Sequence, residues 1–446
     1  MMYFELVLAL LTGLAMSLAY QGPTLPNKGF TVARSAGTKV TVTKDNTLNG
    51  SYHSNFTRLQ ADRVEPLPLE IVNNFDAGPV NAYIQGLDSK GAVVFVAANG
   101  SLIYPSSHGS RLPVKIDHDL AIPLPRKGKS LSLKIPIPLS SGRVYFCQGN
   151  LSFFMLDTGY GEGLVQPSVT NMDDPSASLH WGFVELTYTA AGTVYANISY
   201  VDFVGLILSM ALSTKDKPSR SQVTRGLRAD AVQALCEGLW KQGKVDGQPW
   251  LGLCVVDENR RLIRILSPNY YRRLYDAAFE GYWNGYIDKV WRHYFYKPLT
   301  IDTQTPAGPV TCRVINNILR CLNDTRGYSR PLATDIWGCD SGPFGRVNGD
   351  NDVHVAVIPR LCAAFVRSTL LLPGGDVQPS LNSSHHYTVS PTHHYSRLVH
   401  ELQVDGRGYA FSYDDVNPDG TEDASGLVSS GNPDTLTVYV GSPPTD

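Results

Sequence analysis

The sequence predicts a mainly β protein carrying a mixed α/β insertion. Two textures, and the order in which they occur, predict it. Over residues 67–205, short runs rich in Val, Ile, Tyr and Phe are separated by Gly, Pro, Asn and Ser, the spacing of an antiparallel β-sandwich or barrel. Over 206–364 apolar residues at helical spacing enter between the strands, and over 365–446 the strand texture returns. The last strands are therefore expected to rejoin the first β-domain, leaving the α/β region as an insertion.

Each element has its own warrant. Residues 20–66 are polar and lack periodicity, the mark of a poorly ordered lead-in. Strands are expected at Leu69–Asn74, Val80–Gln85, Gly91–Val96, Leu131–Pro136 and Arg143–Phe146, where β-branched and aromatic side chains cluster. Ala229–Trp240 sets Val232, Leu235, Cys236 and Leu239 on one helical stripe, and Tyr282–Phe295 does so with Tyr286, Ile287, Val290, Trp291 and Tyr294. Ser267-Pro268 reads as a helix start, because Pro in the first turn lacks an N–H that has no partner there anyway. Strands Leu251–Val256 and Leu262–Leu266 alternate with these helices, and Tyr409–Tyr413 and Leu436–Val440 follow as strands.

Composition bounds the function. The 446 residues carry 38 Lys+Arg against 40 Asp+Glu, and charged residues make up only 17% of the chain. Binding a polyanion takes clustered cations that displace counterions, so no nucleic-acid partner is expected. The run Leu6–Ala19 is uncharged but shorter than the roughly 20 residues of a membrane span. It ends in the small-x-small pattern Ser17-Leu18-Ala19, so residues 1–19 are expected to be a signal peptide and the product a secreted, extracellular protein that does not enter a membrane. Asn-x-Ser/Thr sequons at Asn49, Asn55, Asn99, Asn150, Asn197, Asn323 and Asn382 agree with that compartment.

The seven cysteines permit three disulfides and one thiol. Cys312 and Cys321 flank a hairpin turn at Asn316-Asn317, and Cys339 is expected to pair with Cys362 and Cys236 with Cys254. Cys147, inside a strand, is left as a buried free thiol. None of these spacings is a zinc pattern.

Serine-hydrolase, zinc-protease and phosphate-loop signatures are absent. His385-His386, His393-His394 and His400 are read as solvated or loop-packing residues, since adjacent side chains rarely converge on one ion. The informative segment is Trp181–Phe203, a hairpin in which Glu185 and Asp202 stand among apolar and aromatic residues. A carboxylate there is either a functional acid or is held by a hydrogen-bonding partner, because an unpaired buried charge is costly. If Thr189 pairs with Val194, Glu185 faces Ile198, and Asp202 lies further along the same face, about 13 Å away on a flat strand. Inverting glycosidases hold their carboxyl groups about 6.5–9.5 Å apart, so a bend after Tyr200 or strand coiling is needed. A loop one residue longer would put the acids on opposite faces.

Glu185-Leu186-Thr187, Asn197, Val201-Asp202, Gly163–Val169 and Asp173-Asp174-Pro175 resemble the core of glycoside hydrolase family 64, the secreted, thaumatin-like endo-β-1,3-glucanases. Ile71–Asn74, Ser141–Phe146, Tyr286–Trp291, Gly338-Cys339, Leu361–Leu371, His394–Arg397 and Tyr409–Val416 extend the resemblance over about residues 65–442. It implies a thaumatin-like β-sandwich or barrel domain and a mixed α/β domain flanking a wide groove, in which β-1,3-glucan is cut with inversion to short laminari-oligosaccharides. By position Glu185 is the general acid, Asp202 the general base, and Thr187, Tyr195 and Asn197 contact sugar. Val184, Leu186 and Phe183 are expected to desolvate Glu185 and keep it protonated, with Asp202 ionised by nearby donors. Asp415, at the expected barrel rim, is a further candidate for the groove. The position of Tyr195 usually carries Trp in this family, and the hairpin turn here is one residue longer. A glycan on Asn197 would block the groove, so that sequon is expected to be unoccupied. No metal or organic cofactor is implied, and a monomer is expected. Two other readings stay open: a non-catalytic thaumatin-like glucan-binding protein, and an effector-like protein with a decayed site.

Overall fold

The computed structural model describes residues 25–26, 28–35, 37–49, 64–420, 424–441 and 443. The expected signal peptide and the sequon at Asn55 lie outside them. Among the described residues all helices fall between 231 and 402, and the rest of the regular structure is sheet.

The largest sheet places Val194–Ile198 and His180–Tyr188 beside Leu139–Gln148 and Asn81–Leu87. A five-stranded sheet runs in the order Lys217–Thr224, Leu208–Thr214, Pro433–Val440, Leu67–Asn73, Lys129–Ile135. Strict alternation buries Leu67, Leu69 and Ile71 on one strand and Leu436, Val438 and Val440 on its neighbour. These side chains join Val184, Leu186, Ala196 and Ile198 in one buried cluster, so the two sheets share a core. Pro433–Val440 pairs with Leu67–Asn73 and with Leu208–Thr214. The sandwich therefore includes residues beyond 206, where the α/β part is expected to begin; among the described residues the first helix starts only at Ala231.

Three segments differ from the sequence reading. Within the supposed lead-in, Thr31–Val32 pairs with Val255–Val256 and Thr47–Asn49 pairs with Gly163–Val165. Backbone hydrogen bonding to the edges of existing strands orders this polar arm without a hydrophobic stripe of its own. Tyr409–Tyr413 is not a strand but a turn, because the Asp414 carboxylate accepts the N–H groups of Ala410 at 2.6 Å and Phe411 at 3.3 Å, which diverts them from a sheet ladder. Trp250–Leu253 is a short 3₁₀ turn, and the strand begins at Cys254.

The helical insertion follows its periodicity. Helix Ala231–Asp246 buries Leu235, Cys236 and Leu239, and helix Asn284–Tyr296 buries Tyr286, Ile287, Val290, Trp291 and Tyr294. Helix Pro268–Leu274 starts on Ser267, whose side chain accepts the Tyr270 N–H. Disulfides join Cys236–Cys254, Cys312–Cys321 and Cys339–Cys362, while Cys147 is a buried free thiol. Asn316 and Asn317 both take positive φ, 52° and 62°, as a two-residue hairpin turn requires. Among the described residues no helix is long and apolar enough to cross a membrane.

Candidate active site

The hairpin sets the site. His180–Tyr188 and Val194–Ile198 pair with Tyr188 opposite Val194, Thr187 opposite Tyr195 and Glu185 opposite Asn197. Their inward positions Val184, Leu186, Ala196 and Ile198 are buried, so Glu185, Thr187, Tyr195 and Asn197 share the open face. The register differs by one residue from the expected one, because the loop is residues 189–193 and Glu185 faces Asn197 rather than Ile198.

On a continuous strand that slip would turn Asp202 to the opposite face. The chain escapes this by leaving the sheet at Ile198. Tyr200 N–H donates to the Tyr409 carbonyl at 2.7 Å, and Phe203–Val204 enters a different sheet beside Ile265–Leu266. The bend returns the Asp202 carboxyl to the neighbourhood of Glu185 and Arg143, both of which act on its charge. The Asp202 carbonyl accepts the Ser267 N–H at 2.9 Å, which fixes this corner to the start of helix Pro268–Leu274.

The two acids have different surroundings. Glu185 is part-exposed; its Oε1 lies 3.3 Å from Arg143 Nη2, and its Oε2 accepts from Asn197 Nδ2 at 3.2 Å. Arg143 stands opposite Glu185 on the adjacent strand, donates to Gln166 Oε1 at 3.2 Å and rests 4.4 Å above the Phe183 ring. The expected apolar jacket around Glu185 is not formed, since Val184 and Leu186 point into the core and Phe183 packs against Arg143.

Asp202 is the desolvated acid. Burial pushes its carboxyl up to about 6, with Glu185 adding to the rise, while Arg143, a hydrogen bond with Tyr270 and the charge of Arg273 oppose it. Burial and the Asp202 charge raise the Tyr270 hydroxyl well above its usual range, so it remains a donor. Arg273, one turn along the same helix, lies 4.3 Å from the Tyr270 ring centroid and ion-pairs with Asp45 of the N-terminal arm.

A cleft of about 420 Å³ opens over Glu185 and is lined also by Arg143, Gln166, Thr187, Tyr195 and Asn197, with Asp45, Thr47 and Leu48 from the arm. Asp202 stands beside it without lining it, and Asp415 is not brought to it. That residue is exposed, in the company of Asp302 and Asp419 around Arg360. Its neighbour Asp414 is buried and structural, accepting from Arg367 at 3.3 Å and His400 at 3.1 Å. His393 and His394 are buried as well, His393 capping the helix His394–Leu402 through the Ser396 N–H.

Sequence reasoning assigned no role to Arg143, Gln166, Tyr270, Arg273 or Asp45. Arg143 carries a signal, as a cation on a strand able to lie across from Glu185, and Gln166 lies within the Gly163–Val169 motif.

Residues 65–440 match the β-1,3-glucanase model of glycoside hydrolase family 64. The chain belongs to family 64. It is 28% identical over 378 residues to a glucan endo-1,3-β-glucosidase of Arthrobacter sp. (strain YCWD3), a match that covers 82% of this chain and 63% of that relative, so the chain spans less than two thirds of the relative's length. Among solved structures it is similar to a laminaripentaose-producing β-1,3-glucanase in complex with laminaritetraose, at 27% identity and a TM-score of 0.74, over 84% of this chain and 99% of that one. A β-1,3-glucanase domain of the same family from Clostridium beijerinckii shares the fold at 19% identity and a TM-score of 0.63, over 84% of this chain and 98% of that one. The family 64 match takes in Glu185 and Asp202 and begins after the arm that carries Asp45.

Proposed function

We propose that the protein is a secreted, monomeric, inverting endo-β-1,3-glucanase that uses no metal or organic cofactor, its sandwich being the thaumatin-like part. One observation carries the reading: the bend after Ile198 brings Asp202 under the influence of both Glu185 and Arg143, beside a cleft whose open face presents Glu185, Thr187, Tyr195 and Asn197. The three disulfides support an oxidising, extracellular compartment.

In this reading a glucan lies over the hairpin. Glu185 donates its proton to the glycosidic oxygen as the C–O bond breaks, and Asp202 takes a proton from the water that attacks the anomeric carbon from the opposite side. A base held near 6 is well matched to this task, since it is largely ionised at neutral pH yet still a competent proton acceptor. Tyr195 supplies an exposed aromatic face for a sugar ring, and Thr187 a hydroxyl.

A second reading exchanges the roles. It is favoured by the raised Asp202 and by the two donors on Glu185, an arrangement that makes Asp202 the proton donor. The experiment that separates them is reducing-sugar release from linear β-1,3-glucan across pH, with Glu185→Gln and Asp202→Asn beside wild type. Asp202 as base predicts kcat/KM climbing as pH rises through about 6; Asp202 as acid predicts a fall there. Near-wild-type activity in either variant removes that residue from the mechanism. A wild type that binds glucan and releases nothing is a binding protein.

A further inference from the structure

We propose that the N-terminal arm, residues 43–49, is a sugar-recognising wall of the Glu185 cleft, with the Asp45 carboxylate and the Thr47 hydroxyl binding hydroxyl groups of the β-1,3-glucan chain. The inference rests on the glucan reading above and adds to it a binding element that lies outside the family match, which begins at residue 65.

Three observations carry it. Asp45, Thr47 and Leu48 line the same cleft as Glu185, Thr187 and Tyr195. The arm is a built element: Thr47–Asn49 pairs with Gly163–Val165, and the buried Asn46 side chain donates to the Thr41 carbonyl at 2.7 Å and accepts the Thr43 N–H at 2.8 Å. It is also tied to both halves of the site. The Asn46 carbonyl accepts the N–H of Gln166 at 2.8 Å, and Gln166 is the partner of Arg143. Asp45 ion-pairs with Arg273, which rests on the Tyr270 that hydrogen-bonds Asp202.

The chemistry suits a neutral polyol. An ionised carboxylate has about four acceptor positions, so its pairing with one guanidinium leaves acceptors for sugar hydroxyls. The Thr47 hydroxyl donates to Asn46 Oδ1 at 3.3 Å and presents its lone pairs as acceptors for a sugar hydroxyl, and Leu48 offers an apolar contact for a ring face. A glucan chain long enough to pass from Glu185 to the arm gains contacts that a short oligosaccharide does not, so the arm selects for chain length and biases the length of the released product.

The test measures affinity for laminari-oligosaccharides of three to seven glucose units by calorimetry in the Glu185→Gln background, with and without Asp45→Ala and Thr47→Val. Each substitution is expected to weaken binding of the longer oligosaccharides about 5–10-fold, the worth of one hydrogen bond, while leaving the shortest within about twofold. In the active background the product-size distribution shifts. Unchanged affinity at every length together with an unchanged product distribution, in variants whose melting temperature matches wild type, overturns the inference. If Asp45→Ala fails to fold, Thr47→Val, which leaves the ion pair in place, carries the test. A wild type that binds the oligosaccharides without cleaving them, and loses affinity on arm substitution, refutes the hydrolase reading and keeps the arm. A wild type that binds none of them refutes both.

Discussion

Arg143 Nη2 lies 3.3 Å from Glu185 Oε1, and the same guanidinium lowers the proton affinity of Asp202. One cation thus pairs with the first acid and acts on the charge of the second, and its orientation is held by Gln166 and the Phe183 ring. Replacing it with Leu removes an influence that lowers Asp202, so the Asp202 limb of the pH–rate profile should move upward from about 6, by about one unit. With Asp202 as base, that shift alone should lower activity at about pH 7 by about twofold. Arg143→Lys should restore most of the limb position, since it keeps the charge. A limb that stays in place in Arg143→Leu would show that Arg143 does not act on Asp202.

Asp202→Asn should abolish activity and stabilise the fold at neutral pH. The sign follows from the raised carboxyl: the folded state binds the proton more tightly than the unfolded chain, so the wild type is favoured at low pH and loses stability as pH rises through about 6. Removing the charge should recover about 1–3 kcal/mol at pH 7 and nothing below about pH 4. Thermal unfolding of both proteins at pH 3.5 and 7 checks this, and an equal shift at both values counts against the argument.

Asn197 should carry no glycan, even though it heads a sequon. Its Nδ2 donates to Glu185 Oε2 at 3.2 Å, and the side chain lies in the cleft. Intact-glycopeptide mass spectrometry should find the Asn197 peptide bare, and Asn197→Ala should lower kcat/KM by about tenfold through the lost hydrogen bond to a charged group. A fully occupied Asn197 in an active preparation would contradict the site.

Asp414→Ala should destabilise the fold by about 3–5 kcal/mol, because it strands Arg367 and His400 without their shared buried anion. The pair also has a pH window. Asp414 is lowered, despite its burial, by His400 and Arg367, so its contribution is lost in acid; His400 is raised, with Asp414 outweighing burial, so its contribution is lost as pH climbs past its folded value. Urea titrations of the variant across pH 4–8 should show the deficit largest in mildly acidic solution.

Thiol titration of the native protein should detect no reactive cysteine, and denaturation without reductant should expose one. Cys147 is buried, and burial raises its thiol to about 12, which suppresses the nucleophilic thiolate. Two or more thiols in denaturant would mean that a disulfide is absent.

Much of the scaffold was legible because it is written locally. The stripe Tyr286, Ile287, Val290, Trp291 and Tyr294 is a helix face by spacing alone, and it is the buried face of helix Asn284–Tyr296. The Ser267-Pro268 start and the Asn316-Asn317 turn are short-range chemistry of the same kind. Tyr409–Tyr413 misled because Asp414, one residue beyond the run, claims its N–H groups.

By itself the sequence determined that Glu185 and Asp202 sit on one apolar hairpin and its continuation, with Thr187, Tyr195 and Asn197 near them. Only the tertiary structure decided how they meet. A one-residue change in loop length inverts a face without altering composition, so the register opposite Asn197 could not be read in advance. Asp202 is aimed by pairing with a strand some sixty residues later in the chain, and its partners Tyr270 and Arg273 come from the helix that follows that strand. Which carboxylate is desolvated depends on the sum of those distant contacts, and it proved to be Asp202, with Glu185 held instead by Arg143 and Asn197.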